Sequence, residues 1–232
     1  MISIYLIPTH LAPNTTTDVL PEGLVEKMKE LNIFFVENIK TARRFISSLK
    51  IGKIIDDITF YELTKKSKFD ETFELMMNLT EDVGILSEAG CPGIADSGAL
   101  AVTIAHQLNY TVKPLVGPSS ILLALMASGF NGQQFTFNGY LPIDRKERVK
   151  RIKELERISH TTQSTQLFME TPFRNNQLLE SILEHCHPNT KLTVSVNLTA
   201  EDAYSKTFSI SKWREMKGHD FHKKPAIFGF GA

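Results

Sequence analysis

The chain has 232 residues, enough for one large or two small domains, and its 42% hydrophobic and 22% charged residues match an ordinary folded protein and exclude a disordered or fibrous one. Lys+Arg and Asp+Glu balance at 26 each, which excludes a globally basic nucleic-acid surface, so an RNA or DNA partner must be met by a local patch. The two cysteines, Cys91 and Cys186, have no CxxC or CxxH spacing; this argues against a disulfide framework or a metal site and for a reducing, cytoplasmic compartment.

The first apolar run, 1–7, stops at Pro8 and lacks the charged flank and length of a signal peptide, so it reads as a strand over 3–7. No stretch approaches the roughly 20 apolar residues of a membrane span, and no membrane partner is expected. Leu24, Met28 and Leu31 then repeat at helical spacing within 20–31, followed by a strand over 33–36 and a helix over 41–49 with Ala42, Phe45, Ile46 and Leu49 on one face. Helices over 70–79 and 99–108 bracket a strand at 84–86, and a strand at 111–116 precedes an apolar helix at 121–127. This βαβα alternation predicts a mostly parallel sheet over residues 1–130.

Gly129, Asn131, Gly132 and two glutamines interrupt the pattern near 129–134, and a second α/β domain is expected over 131–232. It opens with a charged helix at 144–158, buried through Val149, Ile152 and Leu155. A strand at 166–169, a helix at 175–185 and strands at 192–196 and 226–230 imply a mixed sheet.

The run SEAGCPGIADSG at 87–98 places three glycines and a proline just after a presumed parallel strand. Open α/β sheets bind ligands at such carboxyl ends, and glycines let main-chain N–H groups approach a ligand closely. The run is neither GxGxxG nor a Walker A loop, so a nucleotide-like ligand of another kind is implied. A second loop, GPSS at 117–120, also ends a strand and opens a helix, where Ser119 or Ser120 serves as cap or ligand donor.

Together with ALMASG at 124–129 and FNGYLP at 137–142, these runs resemble the small-subunit ribosomal RNA cytidine-2′-O-methyltransferase branch of the tetrapyrrole methylase superfamily. That branch reads Ser-Asp-Ala-Gly-Thr-Pro-x-Ile-x-Asp-Pro-Gly, matched at Ser87, Ala89, Gly90, Pro92, Ile94, Asp96 and Gly98. Its Glu-x-Pro-x-Arg element is met by Glu170, Pro172 and Arg174. The resemblance implies a two-domain class III methyltransferase fold, usually a homodimer, with S-adenosylmethionine in the cleft between domains. The implied cofactor contacts are Ser87, Ala89, Gly90, Cys91 and Ile94 on the first loop, Ser119 and Ser120 on the second, then Met169, Leu198 and Ala226 within 225–227.

Departures from the branch bear on the acceptor. Its Pro-x-Gly-Asn-Leu-x-Asp motif is replaced around Pro8 to Asp18, Glu-Asp-Thr-Arg becomes Glu37-Asn38-Ile39-Lys40, Arg-Glu-Leu-Thr-Lys becomes Val196-Asn197-Leu198-Thr199-Ala200, and the C-terminal extension of many members has no counterpart here. A base is needed only where the nucleophile must lose a proton, and Glu37, Glu170 and His10 are the candidates. Glu170 and Arg174, four apart, also suit a plain surface or domain-interface ion pair. His185, Cys186 and His187 read as a helix end and not as metal ligands. The basic helix offers Arg145, Lys146, Arg148, Lys150, Arg151, Lys153 and Arg157 to RNA phosphates, although interspersed acids favour a solvated face. Three functions follow: ribosomal RNA 2′-O-methylation, methylation of a small molecule or tetrapyrrole, or cofactor binding without catalysis.

Overall fold

In the computed structural model, which describes residues 2–216 and 218–231, the chain divides into two compact units, Met1–Ser119 and Ser120–Ala232. The first contains β1 (Ser3–Ile7), α1 (Thr16–Val19), α2 (Glu22–Glu30), β2 (Ile33–Val36), α3 (Ile39–Ser48), a 3₁₀ turn (Ile55–Asp57), β3 (Thr59–Glu62), α4 (Phe69–Met77), β4 (Val83–Leu86), α5 (Gly98–Gln107) and β5 (Thr111–Pro114). Its sheet runs β3-β2-β4-β1-β5 with every neighbour parallel.

Side chains alternate along β1 because strand periodicity is two. Tyr5 and Ile7 join a core with Leu24 and Met28 of α2 and Phe45 and Ile46 of α3. Ile4 enters the opposite core with Met76 of α4 and Ala101 and Ile104 of α5. Each such fully buried aliphatic side chain contributes about 1.5–3 kcal/mol. The segment after β1 therefore covers one face and the segment after β4 the other, although β1 and β4 are neighbours. Their carboxyl ends flank the crevice at which doubly wound sheets bind ligands.

The second unit contains α6 (Ser120–Ser128), β6 (Phe135–Tyr140), α7 (Arg145–Thr162), β7 (Thr165–Met169), α8 (Asn175–His185), β8 (Lys191–Val196), β9 (Tyr204–Ser209), α9 (Ile210–Glu215) and β10 (Ala226–Gly231). The sheet order is β6-β7-β10-β8-β9; β6 and β7 are parallel and the other pairs antiparallel, giving the expected mixed sheet. One face carries α7, α8 and α9 on Phe168, Phe228 and Phe230, with Trp213 fully buried and its indole N–H donating to the Leu192 carbonyl at 2.9 Å. Ala124 and Leu125 of α6 pack on the other face against Leu167 and Ile227.

Helix α6, expected within residues 1–130, thus packs with the second unit, which begins at Ser120. Strands β3, β6 and β9 and helix α9 carry no clear pattern in sequence: β3 and β6 are only partly buried, and β6 contains an Asn-Gly pair. Helix α7 is capped by Asp144, whose carboxylate accepts from Lys146 N and Glu147 N, and it continues past 158 to Thr162. Its buried residues are Arg148, Ile152, Leu155 and Ser159, so Arg148, expected among the phosphate-facing cations, is instead buried with Nη1 donating to the Ile143 carbonyl.

Candidate functional site

The two loops singled out in the sequence come together in the first unit. Thr9, just past β1, exchanges backbone hydrogen bonds with Gly90: Thr9 N donates to Gly90 O at 2.9 Å and Gly90 N to Thr9 O at 3.2 Å. The Cys91 thiol lies 3.3 Å from the Pro118 carbonyl and 3.9 Å from that of Gly117. Gly90 has φ +77°, and a side chain there would press on Leu11 while reaching contact with the Pro118 carbonyl. Ser87 is buried, with its hydroxyl donating to Gly90 O at 3.0 Å, while Ala89 and Ile94 face outward. Helix α6 starts at Ser120, immediately after Ser119.

Asp96 holds the loop's second half by accepting from Gly93 N at 2.8 Å and Gly98 N at 2.7 Å through one carboxylate oxygen. Burial raises its pKa above the ordinary carboxylate value despite these donors, so the site favours an acceptor more than it favours a charge. Asp96→Asn, which keeps an acceptor oxygen, will leave the denaturation midpoint nearly unchanged. Asp96→Ala, which strands both N–H groups, will cost about 1–3 kcal/mol in the same measurement.

Glu37, a candidate base, closes onto this loop. Its carboxylate accepts from Glu88 N at 3.3 Å, Ser97 Oγ at 3.3 Å and Ser97 N at 3.5 Å. In the second unit Glu170 follows β7 with its side chain fully buried. Oε1 accepts from Thr171 N at 2.7 Å and Arg174 Nη2 at 2.5 Å, and Oε2 has no partner. Arg174 is the N-cap residue of α8, so the pair precedes the helix and is no surface i,i+4 pair. Met169 pairs with Ile227, Ala226 with Val196, and Leu198 and Met169 border the α6 core, so the three cofactor positions expected in this unit lie at one end of its sheet. Arg174 Nε, Asn175 Oδ1 and Thr199 Oγ1 are buried there without partners.

Sequence reasoning did not anticipate a cavity of about 690 Å³ in the first unit, within the range of ligand pockets. It lies where β1 and β4 end, lined by Thr9, His10, Ser87 and Glu88, and by Thr41, Arg44 and Phe45 of α3. The His10 ring sits 5.5 Å from that of Phe45, with Nδ1 3.1 Å from the Thr16 hydroxyl. Its only signal in sequence was the set of polar residues that replaces the branch's early motif.

Burial lowers the His10 pKa below 6.5, so the folded unit holds this proton less tightly than the unfolded chain. The resulting stability is complete above pH 6.5 and is lost as pH falls through that value toward the folded pKa. Melting temperatures at pH 7 and pH 5 will show a smaller loss in His10→Gln than in the parent.

Among the described residues, no cluster of three or more His, Cys, Asp or Glu side chains is placed to hold a metal, and no helix is long and apolar enough to cross a membrane. No family model matches the chain. The ribosomal RNA small subunit methyltransferase I of Buchnera aphidicola subsp. Schizaphis graminum is 26% identical over 201 residues, 87% of this chain and 67% of that protein. The protein of the same name from Vibrio cholerae is 24% identical over 196 residues, 84% of this chain and 65% of its own length. The chain thus spans about two thirds of these relatives. Two solved structures share the fold: the methyltransferase CobJ, with a TM-score of 0.63 at 14% identity over 100% of this chain and 94% of that one, and uroporphyrin III C-methyl transferase from Thermus thermophilus, with a TM-score of 0.57 at 13% identity over 99% and 97%. The chain is therefore similar in sequence to ribosomal RNA small subunit methyltransferase I proteins and shares the α/β fold of these two methyltransferase structures.

Proposed function

We propose that the protein is a cytoplasmic, homodimeric, S-adenosylmethionine-dependent methyltransferase acting on a ribose hydroxyl of ribosomal RNA. The observation that carries this reading is the pairing of the 87–98 and 117–120 loops through the Cys91 contact with Pro118, with the Thr9–Gly90 exchange anchoring the first loop to the end of β1. Their chemistry fits a cofactor recognised mainly through main chain: tight turns at Gly90, Gly93 and Ala95, all with positive φ, and an outward apolar side chain at Ile94. Ser87, Ala89, Gly90, Cys91, Ile94, Ser119 and Ser120 would hold the cofactor from the first unit, and Met169, Leu198 and Ala226 from the second. The unpartnered Glu170 Oε2 and Thr199 Oγ1 add buried polar atoms that suit its polar groups. When bound, the cofactor supplies an electrophilic methyl on a sulfonium.

The chain's own task is to position the acceptor and receive its proton. Among the three candidate bases, Glu37 braces the loop and Glu170 is locked to Arg174, whereas His10 lines an open cavity. A tetrapyrrole acceptor with several carboxylates would meet one guanidinium there, Arg44, beside the acidic Glu88, which favours RNA over that reading. Calorimetric titration with S-adenosylmethionine and S-adenosylhomocysteine tests the cofactor: micromolar binding of both is expected, and no heat from folded protein would refute it.

A further inference from the structure

We infer that the first-unit cavity is the seat of a single ribonucleotide of the acceptor strand, with Arg44 meeting a phosphate and His10 meeting the ribose 2′-hydroxyl. The inference rests on the RNA reading above and adds to it a location and two residue roles.

The cavity opens where β1 and β4 end, the crevice of the sheet, and it shares Ser87 and Glu88 with the expected cofactor loop, so a ligand here lies against that loop. Its volume suits a nucleotide and not an extended strand.

Arg43 and Arg44 are adjacent on α3, but only Arg43 is engaged, in an ion pair with Asp56. Arg44 lines the cavity and has no carboxylate partner in any ion pair among the described residues. An unpaired guanidinium at a pocket wall is a ready fork for phosphate oxygens. The Glu88 carboxylate instead accepts weakly from the Thr41 hydroxyl at 3.5 Å, so the cavity carries one cation and one acid and suits a ligand with one anionic group and several hydroxyls. His10 is held by Thr16 through Nδ1 and by the Phe45 ring, which fixes the imidazole plane. In the tautomer that donates from Nδ1 to Thr16, Nε2 keeps its lone pair and accepts from a hydroxyl. Recognition of the 2′-hydroxyl separates RNA from DNA.

The test uses the full chain, a fluorescent mixed-sequence ribo-octamer, its 2′-deoxy counterpart and anisotropy titrations at several salt concentrations. The parent is expected to prefer the ribo-octamer by about 5-fold or more, the size of one hydroxyl contact. Arg44→Gln will weaken both probes by about 5–20-fold and lower the salt slope by about one, while Arg44→Lys keeps the slope. His10→Gln will abolish the ribo preference and leave deoxy binding unchanged, a readout that mere unfolding does not produce. Equal binding of the two probes by the parent, or variants that bind as the parent does, would overturn the inference. So would a result in which uroporphyrin, and not the octamer, loses affinity on Arg44→Gln. These outcomes are independent of the cofactor reading: methyl transfer with no ribo preference sinks the cavity assignment alone, and ribo preference without cofactor binding sinks the methyltransferase reading alone.

Discussion

Arg174→Met will destabilise the second unit by about 3–5 kcal/mol, because it leaves a carboxylate in the interior without its counter-ion. The Glu170 side chain has no solvent exposure, and of its two oxygens only Oε1 is engaged, by Thr171 N and Arg174 Nη2. Glu170→Gln removes the charge and keeps an acceptor for Thr171 N, so adding it to Arg174→Met should recover most of the loss. Urea denaturation of the two single variants and the double variant measures this directly. A cost for Arg174→Met below about 1 kcal/mol, the usual worth of an exposed pair, would show that the carboxylate is not buried as described.

Gly117→Val will have the second large effect, this time on the loops that carry the function. A Cβ at Gly117 would overlap Cβ and Cγ of Pro8, a residue buried just past β1, so either the second loop or the end of β1 must move. Overpacking of this kind costs about 1–3 kcal/mol. The consequence for function is larger: the Cys91 contact to Pro118 and the approach of Gly90 to the Pro118 carbonyl both depend on that position. Calorimetry should show S-adenosylmethionine binding weakened by about 10-fold or more, equivalent to about 1.4 kcal/mol, with the far-ultraviolet spectrum retained. Parent-like affinity in a folded Gly117→Val protein would separate the two loops functionally.

Periodicity made the first unit legible because its core strands and helices are buried on a constant face: Met28, Phe45, Ile46 and Ile104 sit where helical spacing put them. Strands β3, β6 and β9 escaped because partial burial removes the alternation that marks a strand, and their pairing is set by neighbours distant in sequence. Arg148 was misread for a related reason, since charge suggests solvent while the helix face and the Ile143 carbonyl provide a buried partner. The loops were visible through glycines and proline, but Asp96 as their brace and Glu37 as their anchor are tertiary facts. So is the cavity at His10 and Arg44, whose lining comes from the ends of two strands, β1 and β4, and from helices α1 and α3.

The most direct test of the account is transfer of isotopically labelled methyl from S-adenosylmethionine to small-subunit ribosomal RNA, naked and within the assembled subunit, followed by nuclease digestion and mass spectrometry of the nucleosides. The account predicts label in a 2′-O-methylated nucleoside, strongly reduced by His10→Gln and by Gly117→Val. Cofactor binding without label in either form of the RNA, or label recovered only in a small molecule, would contradict it.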